Sequence, residues 1–266
     1  GTMRLPHVKK KMGIDDRARP REPATQRERS VVVVLSTMRS GSTLLKALLA
    51  TAPDVSDLPE VDFQRFRHRK HLADIRDMSG APVVVLKRPA WFHEVLSYPR
   101  LPRFEGVRKI ALFRDAYETV RSLRKMVFHR LSGWTEPFFN SLLAEHYWCR
   151  VTESLLEVQE NDPETTIPVR YEDLVVQPRE VTRRLFSFIG STREEGVDSY
   201  NPPTHHKWSW GKDDGGAKIR SLQVQPPPPT DYAERHLASV IRNSERITRL
   251  RERLGYKPLP DPGVSP

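Results

Sequence analysis

The chain has 266 residues, with 44 Lys and Arg against 34 Asp and Glu, a formal charge of +10, and 37% hydrophobic residues. That length suits one large α/β domain or two small ones, and the charge argues for an anionic partner without choosing among nucleic acid, an acidic membrane surface and a small phosphorylated ligand. The longest apolar run, Val31–Leu35, falls far short of the roughly 18 residues of a membrane span, and one cysteine, Cys149, excludes an intramolecular disulfide or a Cys-rich zinc site and points to a reducing compartment.

Residues 1–29 are basic and poor in large apolar side chains, and a disordered tail is expected there because such a segment cannot offset its ordering entropy. Through Ser30, nine basic residues against four acidic ones leave +5, half of the net charge. Gly1-Thr2 ahead of Met3 read as an expression remnant, and no apolar h-region follows Met3, which predicts a cytoplasmic protein. Residues 30–257 form the expected folded domain, and the Pro-rich residues 258–266 should be loose or extended.

Within the domain, Ser30–Thr37 is a β-branched run read as a buried strand, followed by a helix over Ser42–Thr51 with Leu44, Leu45, Leu48 and Leu49 at helical spacing. Further strands are predicted at Pro82–Leu86, Lys109–Phe113 and Thr166–Arg170, with helices over Tyr117–Arg130 and Pro178–Ile189. Asn201–Pro229 reads as a long loop, and Tyr232–Leu254 as one charged amphipathic helix. Strands alternating with helices imply an α/β fold with a mostly parallel central sheet flanked by helices, a P-loop-like three-layer sandwich. Ligands bind at the carboxyl ends of such strands.

The stretch Ser36-Thr-Met-Arg-Ser-Gly-Ser-Thr43 joins the first strand to the first helix. Laid on the nucleotide P-loop G-x-x-x-x-G-K-[ST], Ser36 replaces the first Gly, Gly41 matches the second, Ser42 replaces the Lys and Thr43 matches the hydroxyl residue. The phosphate cradle survives, since Gly41 admits an anion to the backbone and the amides of Ser42, Thr43 and Leu44 lie at a helix N-terminus. Arg39 supplies the missing charge with a fork suited to phosphate or sulfate oxygens. An ordinary Ser/Thr helix cap with a solvated Arg39 is the plainer alternative.

Met38-Arg39-Ser40-Gly41-Ser42-Thr43-Leu44-Leu45 resembles the first signature of the sulfotransferases that use 3′-phosphoadenosine 5′-phosphosulfate (PAPS). A second, Arg114-Asp115-Ala116 with Ser122 eight residues beyond the arginine, resembles their 3′-phosphate motif, with Ala116 where the family usually has Pro. A third, Arg170-Tyr171-Glu172-Asp173-Leu174, resembles their R-Y-E-D-L segment, whose tyrosine contacts adenine; alone, Tyr171 reads as a packed strand-end aromatic. The likeness spans about Val31 to Gly190, with weaker echoes to Lys218. It implies PAPS as sulfate donor, 3′,5′-ADP (PAP) as product, no metal and a hydroxyl acceptor, with Arg39, Ser40, Gly41, Ser42, Thr43, Leu44, Arg114, Ser122 and Tyr171 at the cofactor.

Sulfuryl transfer needs in-line positioning, cations on the developing charge and a base for the acceptor hydroxyl. Arg39 and Lys87 are the candidate cations, Lys87 projecting from the end of the Pro82–Leu86 strand. Many small-molecule sulfotransferases place a His two residues after that lysine; here Pro89 stands there. Glu60 is the candidate base, because Ala52-Pro53-Asp54-Val55 and the spacing to Glu60 resemble the tyrosylprotein sulfotransferases, and because Leu58, Pro59 and Val61 would raise its pKa. Asp57, Asp62, His93 and His129 are rivals.

In the Gly- and Trp-rich loop, Trp208, Ser209, Lys212 and Lys218 are candidates to cover the nucleotide, with a solvated basic loop as the alternative. His205-His206 and the pair His68/His71 lack the partners expected of a metal site. The aromatics between Phe128 and Trp148 suit either an acceptor pocket or core. Two other classes stay open, a P-loop kinase or NTPase, for which only Asp115 could serve magnesium, and a nucleic-acid-binding protein suggested by charge alone. The acceptor, a phenol, sugar or small metabolite, and the oligomeric state are not legible.

Overall fold

The computed structural model describes residues 30–58, 75–99, 107–127, 136–204, 206–208 and 217–261. Four parallel strands, β1 (Ser30–Thr37), β2 (Val83–Ala90), β3 (Val107–Phe113) and β4 (Thr166–Arg170), lie in the order β2-β1-β3-β4. The β-branched run of β1 sits at the centre because it is apolar on both faces. Val31, Val33 and Leu35 enter one core and Val32 and Val34 the other, as a parallel sheet covered twice requires.

Helix α1 (Ser42–Leu49) follows β1, and α2 (Ala116–Val127) follows β3. Next comes one continuous helical rod, made of α3 (Glu136–Ser141), a π-helical segment Leu142–Trp148 and α4 (Cys149–Asn161). After β4 come α5 (Tyr171–Val176), α6 (Pro178–Ile189), α7 (Ala217–Arg220), α8 (Arg235–Asn243) and α9 (Glu245–Arg253). Residues from α2, the rod, α8 and α9 fill one core, and residues from α1, α5 and α6 fill the other. The expected three-layer α/β fold is therefore present.

Three expectations need correction. Strand β2 does not stop at Leu86 but runs to Ala90, so Lys87 sits within the strand opposite Val34 rather than at its end. Pro89 is tolerated because β2 is an outer strand among the described residues. The single helix expected over Tyr232–Leu254 is two, broken at Ser244, whose extended backbone (ψ 111°) ends α8 and whose Oγ accepts from Ile247 N at 3.3 Å to cap α9. The long loop contains a helical turn, α7, fixed by Tyr200 Oη donating to the Ile219 carbonyl at 2.8 Å. Beyond α9 the chain is extended, with Leu259 in the core and Arg242 Nη2 on the Pro260 carbonyl at 2.7 Å. Among the described residues, no helix is long and apolar enough to cross a membrane.

Candidate functional site

The loop between β1 and α1 has the cradle geometry. Gly41 caps α1 in a left-handed conformation, φ 90°, without a side-chain hydrogen bond, so the first-turn amides remain available to an anion. Its hydrogen atom is also a steric necessity, since a Cβ there would lie 2.4 Å from Tyr171 Cδ2. Ser40 Oγ donates to the Thr37 carbonyl at 2.7 Å and closes the loop from within. Arg39, at φ 64°, is one of the few non-glycine residues in the left-handed region.

Two groups of side chains flank this loop. On the β3 side, Arg39 Nε donates to Ser122 Oγ at 2.9 Å, and Arg114 Nη1 donates to the Arg39 carbonyl at 2.5 Å. The Arg114 guanidinium lies 4.5 Å from the centre of the Tyr171 ring. Glu118 Oε2, 3.9 Å from Arg114 Nη2, offsets part of this positive charge. On the β2 side, the buried Lys87 donates from Nζ to Thr43 Oγ1 at 3.0 Å. Arg39 is thus joined to Ser122 and Arg114, and Lys87 to the Thr43 hydroxyl of α1. Leu44 packs with Tyr171 against the apolar core behind the loop.

Glu60, Asp62, His68, His71, Phe128, His129, Trp134, His205, Ser209 and Lys212 lie outside the described residues. Asp57 Oδ1 accepts from His206 Nε2 at 3.0 Å, which ties the segment 206–208 to the stretch leading to Glu60. Lys46 of α1 donates to the Leu58 carbonyl and anchors the same stretch. His93 is exposed. Trp208 meets Tyr200 edge-on at 6.0 Å, and both pack into the core that includes Leu44 and Tyr171. Lys218 is exposed on α7. Among the described residues, no group of three or more His, Cys, Asp or Glu could hold a metal ion.

Sequence reasoning missed the aromatic hydroxyls and indole that hold the site. Tyr98 Oη accepts from Ser36 N at 2.9 Å and donates to the Arg88 carbonyl at 2.7 Å. Tyr147 Oη accepts from Met38 N at 2.8 Å and donates to the Ala90 carbonyl at 2.7 Å. Each phenol thus bridges β1 and β2 near their carboxyl ends, beside the loop. Burial pushes both hydroxyls well up, so they remain donors. Trp148 Nε1 donates to the Arg114 carbonyl at 2.9 Å. The π segment, in which Cys149 N reaches back to the Ala144 carbonyl, aims the adjacent Tyr147 and Trp148 at the loop and at Arg114. The expected aromatic cluster is consequently divided: Tyr147 and Trp148 are core, while Phe138 is exposed.

The sulfotransferase family model matches residues 78–195, a span that contains Lys87, Arg114, Ser122 and Tyr171. The fold agrees with solved structures. The sulfotransferase domain from the Synechococcus PCC 7002 olefin synthase superposes with a TM-score of 0.57 at 18% identity, over 87% of this chain and 96% of that one. Residues 78–195 carry the sulfotransferase family pattern on a sulfotransferase fold. The sulfotransferase domain from the curacin biosynthetic pathway gives 0.55 at 15% identity, over 86% and 99% of the two chains. The sulfotransferase from Alicyclobacillus acidocaldarius gives 0.52 at 10%, over 86% and 97%. No curated protein sequence matches the chain. The family match begins beyond the first loop, so it does not draw on the β1–α1 residues.

Proposed function

We propose that this protein transfers a sulfuryl group from PAPS to a hydroxyl acceptor. The observation that carries the reading is the meeting of Arg39, Lys87 and Arg114, from three separate segments, around an α1 N-terminus capped only by Gly41. The groups on the loop itself are N–H and O–H donors and cations, the set that suits phosphate and sulfate oxygens. In this reading Arg114 and Ser122 hold the 3′-phosphate, with Arg39 beside them. Gly41, Ser42, Thr43 and Leu44 hold the 5′-phosphate through the α1 amides, Ser40 keeps the loop closed, and Tyr171 contacts the adenine. Lys212 and Lys218 are proposed to cover the nucleotide.

When bound, the donor supplies the sulfuryl group and a phosphate leaving group. Lys87 neutralises charge developing on the oxygen that bridges sulfur and phosphorus. Glu60 accepts the acceptor proton as the acceptor oxygen bonds to sulfur; the sulfur–oxygen bond to phosphate breaks, and 3′,5′-ADP departs with the bonding pair. The protein's own groups thus suffice for the charge balance, and no metal is invoked. The acceptor is a phenol, sugar or small metabolite.

Calorimetric titration with 3′,5′-ADP, ATP and a mixed oligonucleotide without magnesium tests the donor. Binding of 3′,5′-ADP in preference to the other two is expected. Tight ATP binding with none for 3′,5′-ADP would replace this reading by a P-loop kinase or NTPase. A mass-detected screen of acceptors then assigns the class.

A further inference from the structure

Helix α9 and the turn that follows it contact the residues next to Arg114 and Tyr171. Arg251 of α9 contacts Asp115 with both ends of its fork, Nη2 to Oδ2 at 2.8 Å and Nε to each carboxylate oxygen at 3.3 Å. Tyr256 Oη donates to Glu172 Oε2 at 2.9 Å. The two carboxylate-bearing residues are joined, because Asp115 N donates to Glu172 Oε1 at 2.9 Å. Arg170 completes the seat, with Nη1 on the Leu254 and Gly255 carbonyls at 3.1 and 2.9 Å and its guanidinium 5.0 Å from the Tyr256 ring centre.

The order of these residues along the chain gives the network its meaning. Asp115 directly follows Arg114, and Glu172 directly follows Tyr171, and Arg114 and Tyr171 are the pair stacked at 4.5 Å beside the loop. Each gripped residue therefore fixes the backbone from which a ligand-facing side chain departs. Arg251 and Asp115 are 4% and 9% exposed, and burying two charges carries a desolvation cost that an apolar contact would avoid. What an ion pair adds over an apolar contact is direction: a fork on a carboxylate fixes orientation as well as distance. Asp115 is further committed by accepting from Tyr117 N at 3.0 Å, which sets the start of α2 and hence the approach of Ser122.

We propose that Arg251 and Tyr256 are positioning residues for the 3′-phosphate, Arg251 holding Asp115 directly and Tyr256 holding it through Glu172, so that Arg114 keeps the direction that binds the 3′-phosphate. The proposal rests on the donor reading above. It predicts a selective defect, since only a ligand bearing a 3′-phosphate depends on the direction of Arg114.

The test measures the affinities of 3′,5′-ADP and adenosine 5′-phosphate by calorimetry for the wild-type chain, Tyr256→Phe and the double variant Arg251→Met/Asp115→Asn, which removes both buried charges together. Tyr256→Phe deletes one oxygen and decides the matter if the double variant does not fold. Both variants should bind 3′,5′-ADP about tenfold more weakly while leaving adenosine 5′-phosphate unchanged, the loss expected of one misdirected charged contact. In an Arg114→Ala background the same substitutions should add nothing. Unchanged discrimination in the variants, or equal weakening of both nucleotides, overturns the proposal. A wild-type chain that does not distinguish the two nucleotides overturns the donor reading instead.

Discussion

Arg114 donates from Nη1 to the carbonyl of Arg39, so one proposed anion-binding arginine shapes the loop that carries the other. The same guanidinium lies over Tyr171, and a lysine cannot reproduce a planar group that bonds at one edge and stacks at its face. Arg114→Lys should therefore weaken 3′,5′-ADP binding by roughly ten- to a hundredfold despite retaining the charge. Calorimetry checks this; wild-type affinity would show that charge alone is needed.

Gly41→Ala meets two obstacles. A left-handed backbone costs a residue with a Cβ about 1–2 kcal/mol, and this Cβ would meet the Tyr171 ring at 2.4 Å. Urea unfolding should show a loss of about 2 kcal/mol or more. Adding Tyr171→Ala should recover only the steric part, so the double variant should be more stable than the sum of the single losses implies.

Lys87→Met and Glu60→Gln should separate chemistry from binding. Each is expected to slow transfer by about a hundredfold while 3′,5′-ADP still binds, as measured by single-turnover transfer beside calorimetry. If Glu60→Gln turns over normally, the base lies elsewhere.

Asp54 supplies a pH test. Burial pushes its carboxyl up, but the Ser191 hydroxyl and Thr192 amide, each at 2.7 Å, outweigh burial and hold it below the ordinary value of 3.8. The folded state thus binds this proton less readily than the unfolded state. The stabilisation is present above the ordinary value and disappears as pH falls through the lower folded one. The wild type should exceed Asp54→Asn in urea midpoint at pH 7, with the difference shrinking below about pH 4.

Cys149 is fully buried, and burial pushes its thiol up to about 12. It should resist alkylation at pH 8 in the native protein and react promptly in urea. Prompt native reaction would mean that the rod opens locally.

Much of this site is local in sequence, and that part was legible. The β-branched run of β1, the Gly41 turn and the Thr166–Arg170 and Pro178–Ile189 elements are each specified by a few consecutive residues. What escaped depends on contacts between distant segments. Nothing in the sequence around Tyr98, Tyr147 or Trp148 announces that their polar atoms serve Ser36, Met38 and Arg114. The break at Ser244 escaped because apolar periodicity continues across it, whereas the Ser244 cap competes locally with helix propagation. Arg251 is one of several cations on a charged helix, and its Asp115 partner lies 136 residues away in the chain.

The π segment gives the rod from α3 to α4 an unusual economy. Removing one residue, such as Ala144, would let it regularise into an ordinary α-helix and would turn one end relative to the other by about 100°. The rod would gain local order, while Tyr147 and Trp148 would leave Met38 and Arg114. For this stretch the length that best satisfies the helix and the length that best serves the site differ by a residue, so selection for stability alone would erode the site.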